Sequence, residues 1–271
     1  MIVLAGMGFG LAGLLTCQNC EGMTFGYPYN FNGVTTSSGT IDPTQLLKEH
    51  GVQFGAFHAV GYTGNPTSSR SFCWNNNPIG AVDGDDNFDH FTGQLDENKY
   101  YEVTIAPEPL YVLGFYSVQF SIRRSPTGIR NYAVRSSLDN YEANLPGTIM
   151  TGFSNLVVNT DNAFCWMYDS YVSELYGSKV FLPDAFQTAT EPVTFRFYGW
   201  NAEGSLGTFV IDNMIINMSV DSVPEPRVPL FWCAGMVLLC AGRRRLTSVR
   251  AFQCPAPRAP VSTPSRSGHK G

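Results

Sequence analysis

Alternation of apolar and polar positions is clearest in Tyr116-Ser-Val-Gln-Phe-Ser-Ile-Arg. In an extended chain Tyr116, Val118, Phe120 and Ile122 fall on one side, and Ser117, Gln119, Ser121 and Arg123 on the other. That period of two predicts a strand with one buried face. Ser125-Pro126-Thr127-Gly128 follows with turn chemistry, because Pro presets φ and Gly relaxes the corner. Asn131-Tyr-Ala-Val-Arg-Ser-Ser then reads as the returning strand of a hairpin. Tyr100 to Ile105, Val193 to Tyr198 and Thr208 to Met218 are further strands. Phe54 to Val60 and Ser154 to Val158 are shorter apolar runs bounded by turn residues. Thr44 to His50 has room for one or two helical turns, but no long amphipathic helix is present. Many short strands separated by turn signals predict an all-β chain, with a single jelly-roll-like β-sandwich over residues 23–222.

Both flanks of that body have a different pattern. Residues 1–22 form a signal-peptide-like segment, in which Ile2 to Leu15 has the length of an h-region and is short for a membrane span. Cleavage is expected near Gly22. After the body come Val223-Pro224-Glu225-Pro226, the apolar segment 228–242, and Arg243-Arg244-Arg245. That apolar segment is expected to be a transmembrane helix. At ~1.5 Å per residue it reaches roughly 22 Å, less than the ~30 Å hydrocarbon core, so Arg227 and Arg243 would have to snorkel. The basic tail 246–271 is rich in Pro, Ser and Arg and is expected to be disordered.

The ordered series of VPEP motif, apolar segment and arginine cluster over residues 223–245 resembles the PEP-CTERM sorting signal of Gram-negative bacteria. The resemblance implies export, a membrane-anchored precursor held through residues 228–242, and processing by an exosortase-type transpeptidase. It also implies a final place at the cell surface or in extracellular exopolysaccharide material. Two prolines around Glu225 keep that stretch extended, as a processing enzyme would require. The arginine cluster would hold the tail in the cytoplasm. The body in turn resembles β-sandwich domains of PEP-CTERM proteins with no known activity, through Tyr29-Asn-Phe-Asn-Gly, Arg124-Ser-Pro-Thr-Gly, Val134-Arg-Ser-Ser-Leu-Asp, Val193-Thr-Phe-Arg-Phe-Tyr-Gly-Trp and Val210-Ile-Asp-Asn.

Charge separates body from tail in the same way. Met23 to Ser222 holds 20 Asp/Glu against 9 Lys/Arg, whereas Val223 to Gly271 holds 8 Lys/Arg and the single Glu225. An acidic body lacks the cations that phosphate affinity needs, which excludes nucleic acid as a partner. Of seven cysteines only Cys73 and Cys165 lie in the body, each inside a Phe-Cys-Trp triplet. In an exported protein these two are expected to form a disulfide. Asp83, Asp85, Asn87 and Asp89 place oxygens at alternating positions of one loop, a candidate Ca²⁺ set, and Asp212 in the last strand is a second candidate. Apart from that ion no cofactor is expected. The bland readings are an ordinary solvated acidic loop and an Asp212 bonded to neighbouring backbone.

The chain holds no G-x-S-x-G, H-E-x-x-H or Walker A sequence. No catalytic residue is therefore expected. The leading expectation is a non-catalytic secreted or surface protein, part of surface or exopolysaccharide matrix. The rival is a carbohydrate-binding module, calcium-stabilised, for which Trp74, Trp166, Trp200 and the tyrosines would supply stacking surfaces. Third in order comes a glycoside hydrolase or lyase, which would need two carboxylates facing across a cleft.

Overall fold

The computed structural model describes residues 23–223. The signal-like segment, Pro224 to Pro226, the apolar segment 228–242, Arg243 to Arg245 and the tail lie outside the described residues. Among the described residues no helix is long and apolar enough to cross a membrane.

The body is all-β, built from two antiparallel sheets that form a β-sandwich. The six-stranded sheet runs β1 (Met23–Tyr29), β13 (Phe209–Ser222), β6 (Tyr111–Arg123), β11 (Leu175–Phe181) and β8 (Gly147–Ile149), with β4 (Phe72–Trp74) also paired to β13. The seven-stranded sheet runs β2 (Val52–Phe54), β5 (Tyr100–Pro107), β12 (Val193–Trp200), β7 (Asn131–Ser136), β10 (Phe164–Trp166) and β9 (Leu156–Val158), with β3 (His58–Val60) also on β5.

Aromatic rings join the two sheets. Phe115 and Phe120 of the six-stranded sheet meet Phe195 and Phe197 of the other edge to face, with centroids 5.7 and 5.4 Å apart. Tyr101 stacks on Phe209 at 4.8 Å, and its hydroxyl donates to the Phe209 carbonyl while accepting the Trp74 N–H. A buried phenol thus satisfies main chain on two strands of the opposite sheet, where an unpaired group would be costly. Tyr132 reaches across similarly to Ser178 Oγ at 2.8 Å.

Three local expectations need correction. Val118, Phe120 and Ile122 are buried as their alternation predicts, but Tyr116 is exposed. The pairing of β6 with β13 steps from Phe115↔Met218 to Ser117↔Asn217, which leaves Tyr116 as an extra residue. That bulge reverses the side-chain phase, so Leu113 and Phe115 face the core before it and Val118 after it. The turn at Ser125 does form, with the Gly128 N–H on the Ser125 carbonyl at 2.8 Å. It makes no hairpin, however, because β6 and β7 belong to different sheets and the turn carries the chain across the sandwich. Thr44 to His50 is not helical; its local donors go elsewhere, the Thr44 N–H to Asp42 Oδ1 and the Leu47 N–H to the Tyr27 hydroxyl.

The expected disulfide does not form either. Phe72 and Trp74 join the core, as do Phe164 and Trp166, so strand alternation turns Cys73 and Cys165 away from it. One thiol thereby sits on the far side of the six-stranded sheet and the other on the far side of the seven-stranded sheet. Both are buried and free. Cys73 Sγ contacts Thr67 Oγ1 at 2.7 Å, and Cys165 Sγ accepts from Asn131 Nδ2 at 3.0 Å. Burial pushes both thiols up, Cys165 to about 11, so both stay protonated and unreactive at neutral pH.

Candidate functional site

Two adjoining features gather most of the chemistry: a charged network at one end of the sandwich and a groove that borrows residues from the same loop. The network begins with the turn between β6 and β7, which has an arginine at each end. Arg124 and Arg130 both have fully buried side chains. A buried guanidinium is tolerable only when most of its donors find acceptors. Arg130 donates through Nε to the Trp166 carbonyl at 3.1 Å, through Nη1 to the Asp85 carbonyl at 2.9 Å, and through Nη2 to the Met167 carbonyl at 3.2 Å. Its charge is met by Glu203 Oε1 at 3.4 Å and Asp86 Oδ1 at 3.4 Å. Arg124 Nη2 donates to Asp169 Oδ1 at 2.6 Å, to Glu203 Oε1 at 2.9 Å and to the Pro126 carbonyl.

The acidic partners come from three separate loops. Asp83 to Asp86 lie in the long loop before β5, Asp169 follows β10 and Glu203 follows β12. Two reciprocal bonds tie the first two loops together: the Gly84 N–H donates to Asp169 Oδ2, and the Asp169 N–H donates to Asp86 Oδ1, each at 2.6 Å. The long loop also closes at its neck. There the Gly80 N–H binds the Ala202 carbonyl and the Gly93 N–H binds Asn201 Oδ1. A side chain at Gly80 would collide with the Gly93 backbone, so the neck needs glycine.

Proximity separates the titrations of two of these carboxyls. Burial, together with Asp169 beside it, pushes the Glu203 carboxyl up to about 7. For Asp169 burial acts upward too, but bonds from Glu203, the Gly84 N–H and Arg124 outweigh it and hold the group below its usual value. Glu203 Oε2 and Arg124 Nη1 are buried without a hydrogen-bond partner. Asp83, Asp169 and Glu203 each present an oxygen within 4.8 Å of the others.

Of the four loop residues proposed from sequence as a Ca²⁺ set, Asp83 joins this cluster. Asp85 is engaged within the loop, accepting from the Asn87 N–H at 2.9 Å and facing His90 Nδ1 at 2.7 Å. Those two contacts hold its carboxyl low. Asn87 Oδ1 caps the Asp89 N–H of the one-turn 3₁₀ segment Phe88–His90. Asp89 points its chemistry to the groove. Asp212 sits at a bulge of β13 and accepts from the Asn213 N–H at 2.8 Å, the local bond that competes with any ligand role. Burial, with Glu174 nearby, raises its pKa.

The groove, about 870 Å³ in volume, lies against β7, β9, β10 and the end of β12. Trp200, Phe88 and Phe91 supply aromatic surface, and Asn144, Asn159 and Asp161 are among its polar lining. Beneath it Asn201 Nδ2 donates to Asn131 Oδ1 at 2.8 Å, which fixes two amides of the floor. Phe88 and Phe91 meet at 79° and so do not form a flat platform. Trp74 and Trp166 are core residues and offer no surface to a sugar.

Comparison with protein-family models, with curated proteins and with solved structures returns no match.

Local sequence signals did not point to Arg124, Arg130, Asp169 or Glu203 as a unit. One trace of them exists: two arginines flanking a Pro-Thr-Gly turn, an unusual density of cation in an acidic body.

Proposed function

We propose that this chain is a non-catalytic, exported surface or matrix protein whose sandwich holds a polysaccharide strand in the groove beside Trp200. The groove itself carries the reading. It is open, about 870 Å³ in volume, and lined by amides, carboxylates and aromatic rings, the groups that bind hydroxyls and stack on sugar faces. Its floor is pre-organised by the Asn131–Asn201 bond, which reduces the entropy lost on binding. From β3 onward the path passes mostly from one sheet to the other at each strand, which suits a jelly-roll arrangement. The VPEP motif, apolar segment and arginine cluster supply the route to the surface, with an exosortase-type transpeptidase as the processing partner.

A glycan array probed with the full-length protein tests this reading. Binding to an acidic or neutral polysaccharide is expected, and Trp200→Ala should weaken it up to about tenfold, the worth of an aromatic contact of roughly 0.5–1.5 kcal/mol. Tyr176, half exposed on the other sheet, provides the control: Tyr176→Ala should bind like the parent. Absence of any bound glycan, or binding indifferent to Trp200, would end the proposal.

A further inference from the structure

We infer that Asp83, Asp169 and Glu203 form a divalent-cation site, selective for a hard ion such as Ca²⁺, that staples the loop before β5 to the loops after β10 and β12. All three ligands are carboxylates, and oxygen-only ligation suits Ca²⁺ over the softer transition metals. Their oxygens lie within 4.8 Å of one another. Two oxygens bound to one Ca²⁺ at about 2.4 Å can stand at most ~4.8 Å apart, so the three lie within the range that a single ion can draw together by small side-chain shifts.

A second observation points to a ligand independently of the acidic cluster. Glu203 uses Oε1 for both arginines, and no protein donor meets its Oε2, on a side chain with no exposure at all. A buried carboxylate oxygen left unpaired is costly, and a bound cation removes that cost. Charge supports the same assignment. Five carboxylates meet here, Asp83, Asp85, Asp86, Asp169 and Glu203, against the guanidiniums of Arg124 and Arg130 and the imidazole of His90. With every carboxyl ionised, the two arginines leave the cluster strongly negative. Asp83 is exposed, which gives an ion its way in.

The same loop contributes Phe88, Asp89 and Phe91 to the groove, so the ion would stiffen one groove wall. The site does not depend on what the groove binds, and its test uses no glycan. Thermal melts of the full-length protein should be compared in chelator and in millimolar CaCl₂, with direct calorimetric titration of the metal. Ca²⁺ is expected to raise the midpoint, since it binds the folded chain in preference to the unfolded one. Asp83→Asn removes an exposed ligand without disturbing the arginine network; it should keep the chelator midpoint and lose the Ca²⁺ shift. Asp212→Asn should keep the shift. No Ca²⁺ shift in the parent protein would overturn the assignment, and so would a shift that survives Asp83→Asn or vanishes only in Asp212→Asn.

Discussion

Glu203 shows how much one side chain depends on its surroundings. Nothing in Ala202-Glu203-Gly204 marks this glutamate as unusual, yet burial and Asp169 lift its pKa from 4.5 to about 7. The pH dependence follows from where its proton sits. An unfolded glutamate is ionised above about pH 4.5, while the folded one holds its proton to about 7, so folding takes up a proton between those values. Its contribution to stability is therefore full at the acid end of that window and falls as the pH rises through it. Asp169 and Asp85 run the other way: their stabilisation is present above 3.8 and is lost as the pH drops below it. In chelator, the urea midpoint of the parent should fall more between pH 5 and pH 8 than that of Glu203→Gln. Equal slopes for the two proteins would mean that Glu203 titrates normally.

At the scale of elements, short strands are held by side chains that cross from strand to strand or sheet to sheet. Strand β10 has only three residues, and its pairing with β7 covers two of them. What holds it is Phe164, fully buried, stacked on Tyr132 at 4.9 Å with parallel rings and packed edge-on against Phe120 of the opposite sheet. Phe164→Ala should cost roughly 3–5 kcal/mol by denaturant unfolding, because a rigid two-sheet core collapses poorly around a lost ring. A loss below about 1 kcal/mol would show that neighbouring side chains fill the space. The bulge at Tyr116 is the complementary case. Here an element keeps its length and its pairing but changes which face it buries, and the Tyr116 hydroxyl donates to Ser219 Oγ at 3.0 Å instead of entering the core.

At the scale of the whole molecule, the proposed function is divided between the folded body and its flanks. Strand β13 ends at Ser222, and the Val223 N–H still binds the Leu110 carbonyl, so the body's hydrogen bonding runs to the edge of the VPEP motif. Replacing Pro224-Glu225-Pro226 with alanines touches no residue of the described strands and should leave the melting temperature of the body unchanged. In a host that has an exosortase, the same variant should accumulate as an uncut, membrane-held precursor, visible by immunoblot of membrane fractions. Release at the parental rate would reduce VPEP to a linker and remove the basis for surface sorting.

Alternation and turn chemistry were sufficient to read the class of fold, because each strand writes its own period: Val193, Phe195 and Phe197 are buried just where their spacing puts them. The charge contrast between body and tail and the series from Val223 to Arg245 are likewise properties of the linear chain. Which strands become neighbours is not. The Ser125 turn has the residues of a hairpin, and only the facing of two sheets decides that the chain crosses between them there. The two Phe-Cys-Trp triplets look equivalent in sequence, but the side of the sheet on which each cysteine emerges depends on which sheet each strand joins. The cluster of Asp83, Asp169 and Glu203 draws on loops about 86 and 34 residues apart along the chain, and no local pattern reports a meeting at that distance. Local periodicity is set by bond geometry within a few residues, whereas a site assembled from three loops exists only once the core has fixed their ends.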